Sequence, residues 1–174
     1  MHTYTDKTGS RERLTWLGRM SRTPHLVTDD FDPEELSFPH PGIAITCREG
    51  AAQVAGQPGY YVINVAGELD TPSDLKMPVD PRDGVSATRS QLDRIADVID
   101  RQLEGPDDTK VIVHCAMGIE RSALAVSWFL RSRLGYGSLT AAYDAISAAR
   151  PIVADRSGWV GEELDMPMSV NQVA

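Results

Sequence analysis

Nine consecutive residues, His114 to Ser122 (HCAMGIERS), place a cysteine and an arginine at the two ends of a short loop with a glycine inside it. Each residue type has a use there. A thiolate is a strong nucleophile, and a positive local environment favours thiolate over thiol at Cys115. The planar guanidinium of Arg121 presents a fork that can bind two phosphate oxygens at once. Successive backbone N–H groups can curl around an anion, and Gly118 permits backbone angles closed to other residues. The parts needed to capture a phosphoryl group therefore lie in one loop.

Such a loop needs rigid elements on either side. Lys110 to His114 (KVIVH) reads as a short, nearly all-apolar central strand, and Ser122 to Leu134 as an apolar helix ended by Gly135. The loop thus sits at the carboxyl end of a strand and the N-terminus of a helix, where α/β folds bind anions. A bare Cys-x5-Arg says little, and the second cysteine, Cys47, has Gln53 at that spacing. The strand, Gly118, Ser122 and the following helix together sharpen the signal.

HCAMGIERS resembles the signature loop HCxxGxxRS/T of the protein tyrosine phosphatase superfamily, and most of all its dual-specificity branch. VINVA at 62–66 resembles the strand before that family's acid loop, and ARP at 149–151 the helix end that follows the signature loop. The similarity covers roughly residues 40–165. It implies that Cys115 is the nucleophile and Arg121 the phosphate clamp. It further implies that the amides of Ala116, Met117, Gly118, Ile119, Glu120 and Arg121 line the cradle, and that His114 orders the loop. Ser122 would donate a hydrogen bond to the sulfur and ease its departure, although a hydroxyl there could also serve only as a helix cap. No cofactor and no metal are implied.

The resemblance also requires a general acid roughly thirty residues upstream of the cysteine, because an alkoxide or phenoxide leaving group needs a proton. Asp83, thirty-two residues before Cys115, is the first choice; Asp80, thirty-five before it, is the alternative. Asp83 precedes Gly84 at a turn, whereas MPVD at 77–80 fits the family's strand-then-aspartate pattern. Glu120 departs from the family, which commonly has a small or hydroxyl residue there. A carboxylate at the cradle mouth repels a polyanion unless it points away or pairs with an arginine. The loop carries no lysine, which argues against multiply phosphorylated ligands and favours phosphoprotein, phosphotyrosine before phosphoserine or phosphothreonine.

Composition bounds the alternatives. The 174 residues are 41% hydrophobic and 24% charged, ordinary values for a folded domain. A net charge of −8 argues against nucleic-acid binding. No apolar run approaches a membrane span, and Met1 to Met20 lacks the apolar core of a secretory signal, so the expectation is a cytoplasmic protein that binds no membrane. Two cysteines make no disulfide framework, and Cys47 reads as a small apolar core residue, with a redox pairing to Cys115 as the lesser alternative. The expected partner is a phosphorylated protein or small phosphate monoester; oligomeric state is not legible. Rival functions are a catalytically inactive phosphate-binding module and a rhodanese-like sulfurtransferase, though the latter has no use for an upstream acid or for Ser122.

Along the chain, strands are expected at 42–47, 60–66 and 75–79, a loop at 80–84, and an amphipathic helix opening on a Thr88–Gln91 capping box and closing at Gly105. Ser138 caps a further helix that Pro151 ends, and a short helix is expected at 158–164. Strands alternating with helices predict an α/β fold, a mostly parallel sheet of about four to five strands flanked by helices. The expected organisation is an N-terminal extension at 1–39 with a basic, solvated arm, a phosphatase-like domain at 40–165 and a tail at 166–174.

Overall fold

The computed structural model describes residues 2–5, 11–14, 26–27, 31–105 and 108–161. The first three short segments, β1 (His2–Thr5), β2 (Arg11–Leu14) and β3 (Leu26–Val27), pair as a three-stranded antiparallel sheet. Residues 166–174, and 162–164 of the last expected helix, lie outside the described residues.

The main sheet has five strands: β4 (Ser37–His40), β5 (Ile43–Thr46), β6 (Tyr60–Asn64), β7 (Leu75–Lys76) and β8 (Lys110–His114). Their order is β4-β5-β8-β6-β7, with β4 antiparallel to β5 and every other pairing parallel. This is the expected mostly parallel α/β sheet. β8 is central because its run of valine and isoleucine suits a strand buried on both faces. Val111 and Val113 face one side with Ile43, Ile45 and Ile63, and Ile112 faces the other with Ala44 and Val62.

Helix α1 (Arg48–Val54) covers the smaller face, and α2 (Val85–Leu103), α3 (Arg121–Leu134) and α4 (Leu139–Ala149) cover the larger one. α3 is buried continuously from Ser122 to Leu130, as expected of a helix enclosed by neighbours. Gly135, at φ 75°, ends it in the left-handed region, and the Ser138 hydroxyl caps α4 by accepting from the Ala141 amide at 3.0 Å.

Three local features differ from the sequence reading. α2 starts a turn before the expected capping box. Asp80 caps a 3-10 turn, Pro81–Asp83, that runs directly into the helix. Thr88 therefore lies inside the helix, donating to the Gly84 carbonyl at 2.9 Å, and Gln91 reaches back to accept from the Asp80 amide and donate to Asp83. α1 gave no sequence signal, being seven residues long with a cysteine as its cap. β4 was hidden by Pro39, which an edge strand tolerates.

Residues 31–37 pass over the end of β5 that faces the signature loop. The Glu34 carbonyl accepts from Thr46 Oγ1 at 3.1 Å and its carboxylate from Gln53 Nε2 at 2.8 Å. A Cβ on Gly50 would fall far inside van der Waals contact with Thr46 Oγ1 and the Glu34 carbonyl oxygen. Gly→Ala within a helix ordinarily stabilises by about 1 kcal/mol. Here the prediction is reversed: Gly50→Ala destabilises by about 1–3 kcal/mol in urea unfolding, as overpacking does.

Candidate active site

The loop from Cys115 to Glu120 runs between β8 and α3, and each of its six carbonyl oxygens has a hydrogen-bond partner. Nδ1 of His114 lies 3.2 Å from the Cys115 carbonyl, to which it must be the donor. The Arg48 amide donates to Ala116 O at 3.2 Å. Arg150 donates to Met117 O through Nη2 at 3.3 Å and to Gly118 O through Nε at 2.7 Å. The Ala154 amide donates to Ile119 O at 3.0 Å, and the Leu124 amide to Glu120 O at 2.8 Å. In a planar trans peptide the following N–H points opposite the carbonyl. With these six carbonyls drawn to donors in the surrounding protein, the N–H groups of residues 116–121 lie on the opposite sides of their peptide planes, and that of Ile119 is directed at Cys115.

Gly118 permits the curl. Its φ is 65°, and a Cβ there would lie 2.5 Å from Thr46 O and 2.7 Å from Arg150 Nη2. Both backbone angle and space exclude a side chain.

Cys115 is 3% exposed at the base of the loop, with its Sγ 3.4 Å from Ser122 Oγ. Burial pushes its thiol up. The Ser122 hydroxyl and amide, the Arg121 charge and the Ile119 amide outweigh that, and the net displacement is downward, toward thiolate. His114 is fully buried, and burial pulls its pKa down, so the ring is neutral. That fits a loop-ordering donor rather than a proton carrier.

Arg121 opens α3 on the other side of the loop. Its guanidinium forms a two-pronged pair with Glu68, at 2.7 and 2.6 Å, and hydrogen bonds from Arg121 hold Glu68 at about 2. Glu120 is paired as well: its Oε1 accepts from Nε of the buried Arg156 at 2.6 Å and also from Nη2. Arg156 lies over the Trp159 ring, 5.5 Å from its centroid. The carboxylate that departs from the family pattern is thus neutralised in place.

A cleft of about 490 Å³ adjoins the Glu120–Arg121 end of this loop, lined also by Glu68, Pro78, Asp80, Arg82 and Trp159; Cys115 and residues 116–119 are not among its lining residues. Asp80 lies on its wall. Its carboxylate accepts from the Arg82 amide and guanidinium, which hold it at about 2. Asp83 is not among the lining residues and accepts from Gln91 at 2.9 Å. Cys47 is buried at the start of α1, where its Sγ accepts from the Gly50 amide at 3.5 Å. Among the described residues no helix is long and apolar enough to cross a membrane, and no group of three or more His, Cys, Asp or Glu side chains could hold a metal ion.

Sequence reasoning named the loop residues and both aspartates. It missed Glu68, Arg82 and Trp159, which line the cleft from separate parts of the chain, and Arg156, which pairs with Glu120; none carries a motif. Only Glu120 gave a hint, since a carboxylate beside the cradle called for an arginine.

No protein-family model matches the chain, and no curated protein does. Solved structures do, and they share the fold of the dual-specificity and tyrosine phosphatases. Human DUSP28 superposes with a TM-score of 0.61 at 21% identity, over 74% of this chain and 88% of that one. A leucine rich repeat and phosphatase domain containing protein from Entamoeba histolytica gives 0.60 at 15% identity, over 74% and 87%. The human tyrosine phosphatase-like serine/threonine/tyrosine-interacting protein gives 0.57 at 19% identity, over 73% and 91%. At these identities the likeness is one of fold, and it bears out the resemblance read from HCAMGIERS at that level.

The Glu68–Arg121 pair makes a prediction. Glu68 stays ionised down to about pH 2, so an entering oxyanion must displace it by competition, not wait for its protonation. A partly exposed pair of this kind contributes up to about 1 kcal/mol. Glu68→Gln should tighten inorganic phosphate binding about two- to fivefold by calorimetry at pH 6–7; weaker binding would instead make Glu68 a support for Arg121.

Proposed function

We propose that this chain is a cysteine-dependent phosphatase that hydrolyses phosphate monoesters, phosphotyrosine in proteins first, through a phosphocysteine intermediate at Cys115. One observation supports the reading: Cys115, drawn toward thiolate by Ser122, Arg121 and the Ile119 amide, sits at the base of a loop whose six carbonyls are all turned to other donors, beside a cleft with an aspartate on its wall. The fold shared with phosphatases supports it.

In the first step the Cys115 thiolate attacks phosphorus in line, forming the S–P bond as the bond to the leaving oxygen breaks. The six amides and Arg121 hold the non-bridging oxygens where charge spreads in the transition state. The general acid gives its proton to the leaving oxygen. In the second step the same carboxylate, now a base, takes a proton from water as that water attacks phosphorus. The S–P bond breaks, Ser122 Oγ donates to the departing thiolate, and inorganic phosphate is released. No step uses a metal ion.

Asp80 is favoured over Asp83 as the acid because it lines the cleft with Arg121, whereas Asp83 is turned to Gln91. Arg82 holds Asp80 ionised in the free state, so the proton must be acquired as the phosphoryl dianion enters and makes a second negative charge unfavourable. Trp159, Pro78 and Pro81 offer flat apolar walls that suit a phenyl ring, and Glu120 is tied to Arg156, away from a role in binding further phosphates. A thiol nucleophile suits a reducing compartment such as the cytoplasm.

Activity toward p-nitrophenyl phosphate should withstand EDTA, be inhibited by vanadate and fall at least about a thousandfold in Cys115→Ser. Turnover surviving in that variant overturns the proposal. A wild type that binds phosphate without turnover would mark an inactive phosphate-binding module.

The acid is identified with phosphotyrosine, whose leaving group has a pKa near ~10 and needs the proton. Asp80→Asn should lower kcat about 10²–10⁴-fold and abolish the descending alkaline limb of the pH–rate profile, with Asp83→Asn close to wild type. In the profile of kcat/KM, activity falls as pH rises through the acid's pKa in the free protein. Arg82→Ala releases Asp80 upward from about 2, so the limb should move to higher pH. An unmoved limb removes Asp80 from the role.

A further inference from the structure

The largest fully buried side chain among the described residues is an arginine, Arg150, at the end of α4. Burying a guanidinium is unfavourable unless its donors are satisfied, and a carboxylate partner is the usual means. Among the described residues none forms an ion pair with Arg150. Its donors go instead to neutral oxygens: Nε to Gly118 O at 2.7 Å, Nη2 to Met117 O at 3.3 Å and Pro33 O at 2.9 Å, Nη1 to Ser37 Oγ at 3.1 Å and Glu35 O at 3.4 Å. The Phe31 ring covers it, its centroid 5.3 Å from the guanidinium carbon, and also packs against the cluster of Ile119, Ile152 and Ala154.

We propose that Arg150 is a positioning residue for the phosphate loop: its buried charge and planar fork aim the Gly118 and Ile119 amides into the cradle. The same fork ties residues 31–37 to the loop. This inference rests on the reading of residues 115–121 as an oxyanion cradle.

Two properties follow from the contacts. The fork supplies two of the six carbonyl anchors, at the middle of the loop where Gly118 leaves the backbone least constrained. The charge adds a second cation to the surroundings of Cys115, and unlike Arg121 it forms no direct ion pair among the described residues, the Asp32 carboxylate acting on it only from a distance. Burial draws Arg150 down to about 10, which leaves it charged at neutral pH. Residues 31–37 act through it: Pro33, Glu35 and Ser37 hold the far side of the fork, so the segment ahead of the sheet is part of the loop's support.

The test compares the wild-type 174-residue chain with Arg150→Met and Arg150→Lys. Two quantities are read: the pH dependence of iodoacetamide alkylation at Cys115, resolved from Cys47 by mass spectrometry, and protection of Cys115 by inorganic phosphate. Thermal melts establish that each variant is folded. Arg150→Met should alkylate about tenfold more slowly at pH 6 and need about tenfold more phosphate for protection. Arg150→Lys keeps the charge without the fork, so its alkylation profile should stay within about threefold of wild type while its phosphate affinity falls about tenfold.

If Arg150→Met does not fold, the lysine variant decides: a folded Arg150→Lys with wild-type phosphate affinity overturns the inference. Folded variants that both match wild type overturn it too. A wild type that phosphate does not protect overturns the cradle reading itself, a result distinct from either.

Discussion

The site depends on a property of the peptide bond. Because the unit is planar and trans, a carbonyl fixed on one side fixes the next N–H on the other. From Cys115 to Glu120 the six carbonyls are taken up by donors from five parts of the fold, Arg150 taking two of them: the His114 ring, the start of α1, Arg150, the segment after α4, and the first turn of α3. An anion site made this way needs no lysine and no net positive surface. Under the proposed function, this is how a chain of charge −8 would hold a phosphate oxyanion.

Electrostatic balance around the cradle is kept by pairing. Arg121, Arg156 and Arg82, all at the cleft or beside it, face Glu68, Glu120 and Asp80 respectively. The pairs differ in how easily they open. Arg156 and Glu120 are largely enclosed, with side chains 7% and 20% exposed, so the pair serves as framework. Glu68 and Arg82 are the exposed members of their pairs and can be displaced into water when an oxyanion competes. Opening these two pairs frees Arg121 for phosphate and Asp80 for a proton, the two changes the proposed chemistry needs.

Much of this was legible in the sequence because it is local. KVIVH has the composition of a central strand, Gly135 and Ser138 stop and start helices by their own chemistry, and HCAMGIERS holds the proposed nucleophile, the proposed clamp and the glycine within nine residues. The parts not legible are those assembled across distance. Glu68 follows β6, Trp159 and Arg156 follow α4, and no spacing in the chain relates them to Cys115. Arg150 was visible only as part of ARP, whose sequence gives no sign that a cation is buried under the loop. The preference for Asp80 over Asp83 in the proposed mechanism rests on a 3-10 turn, in which Asp80 is the cap and pairs with Arg82 while Asp83 ends the turn and meets Gln91, contacts that residue types do not specify.

The central claim is that the amides of residues 116–121 jointly bind a phosphate oxyanion. Titrating ¹⁵N-labelled protein with inorganic phosphate, and following its amide resonances by NMR, tests it most directly. The backbone signals of residues 116–121 and the Arg121 side-chain Nε–H signal should move together along one saturable curve. Saturable binding that leaves those resonances in place while shifting others, or no saturable shift at all, would contradict it.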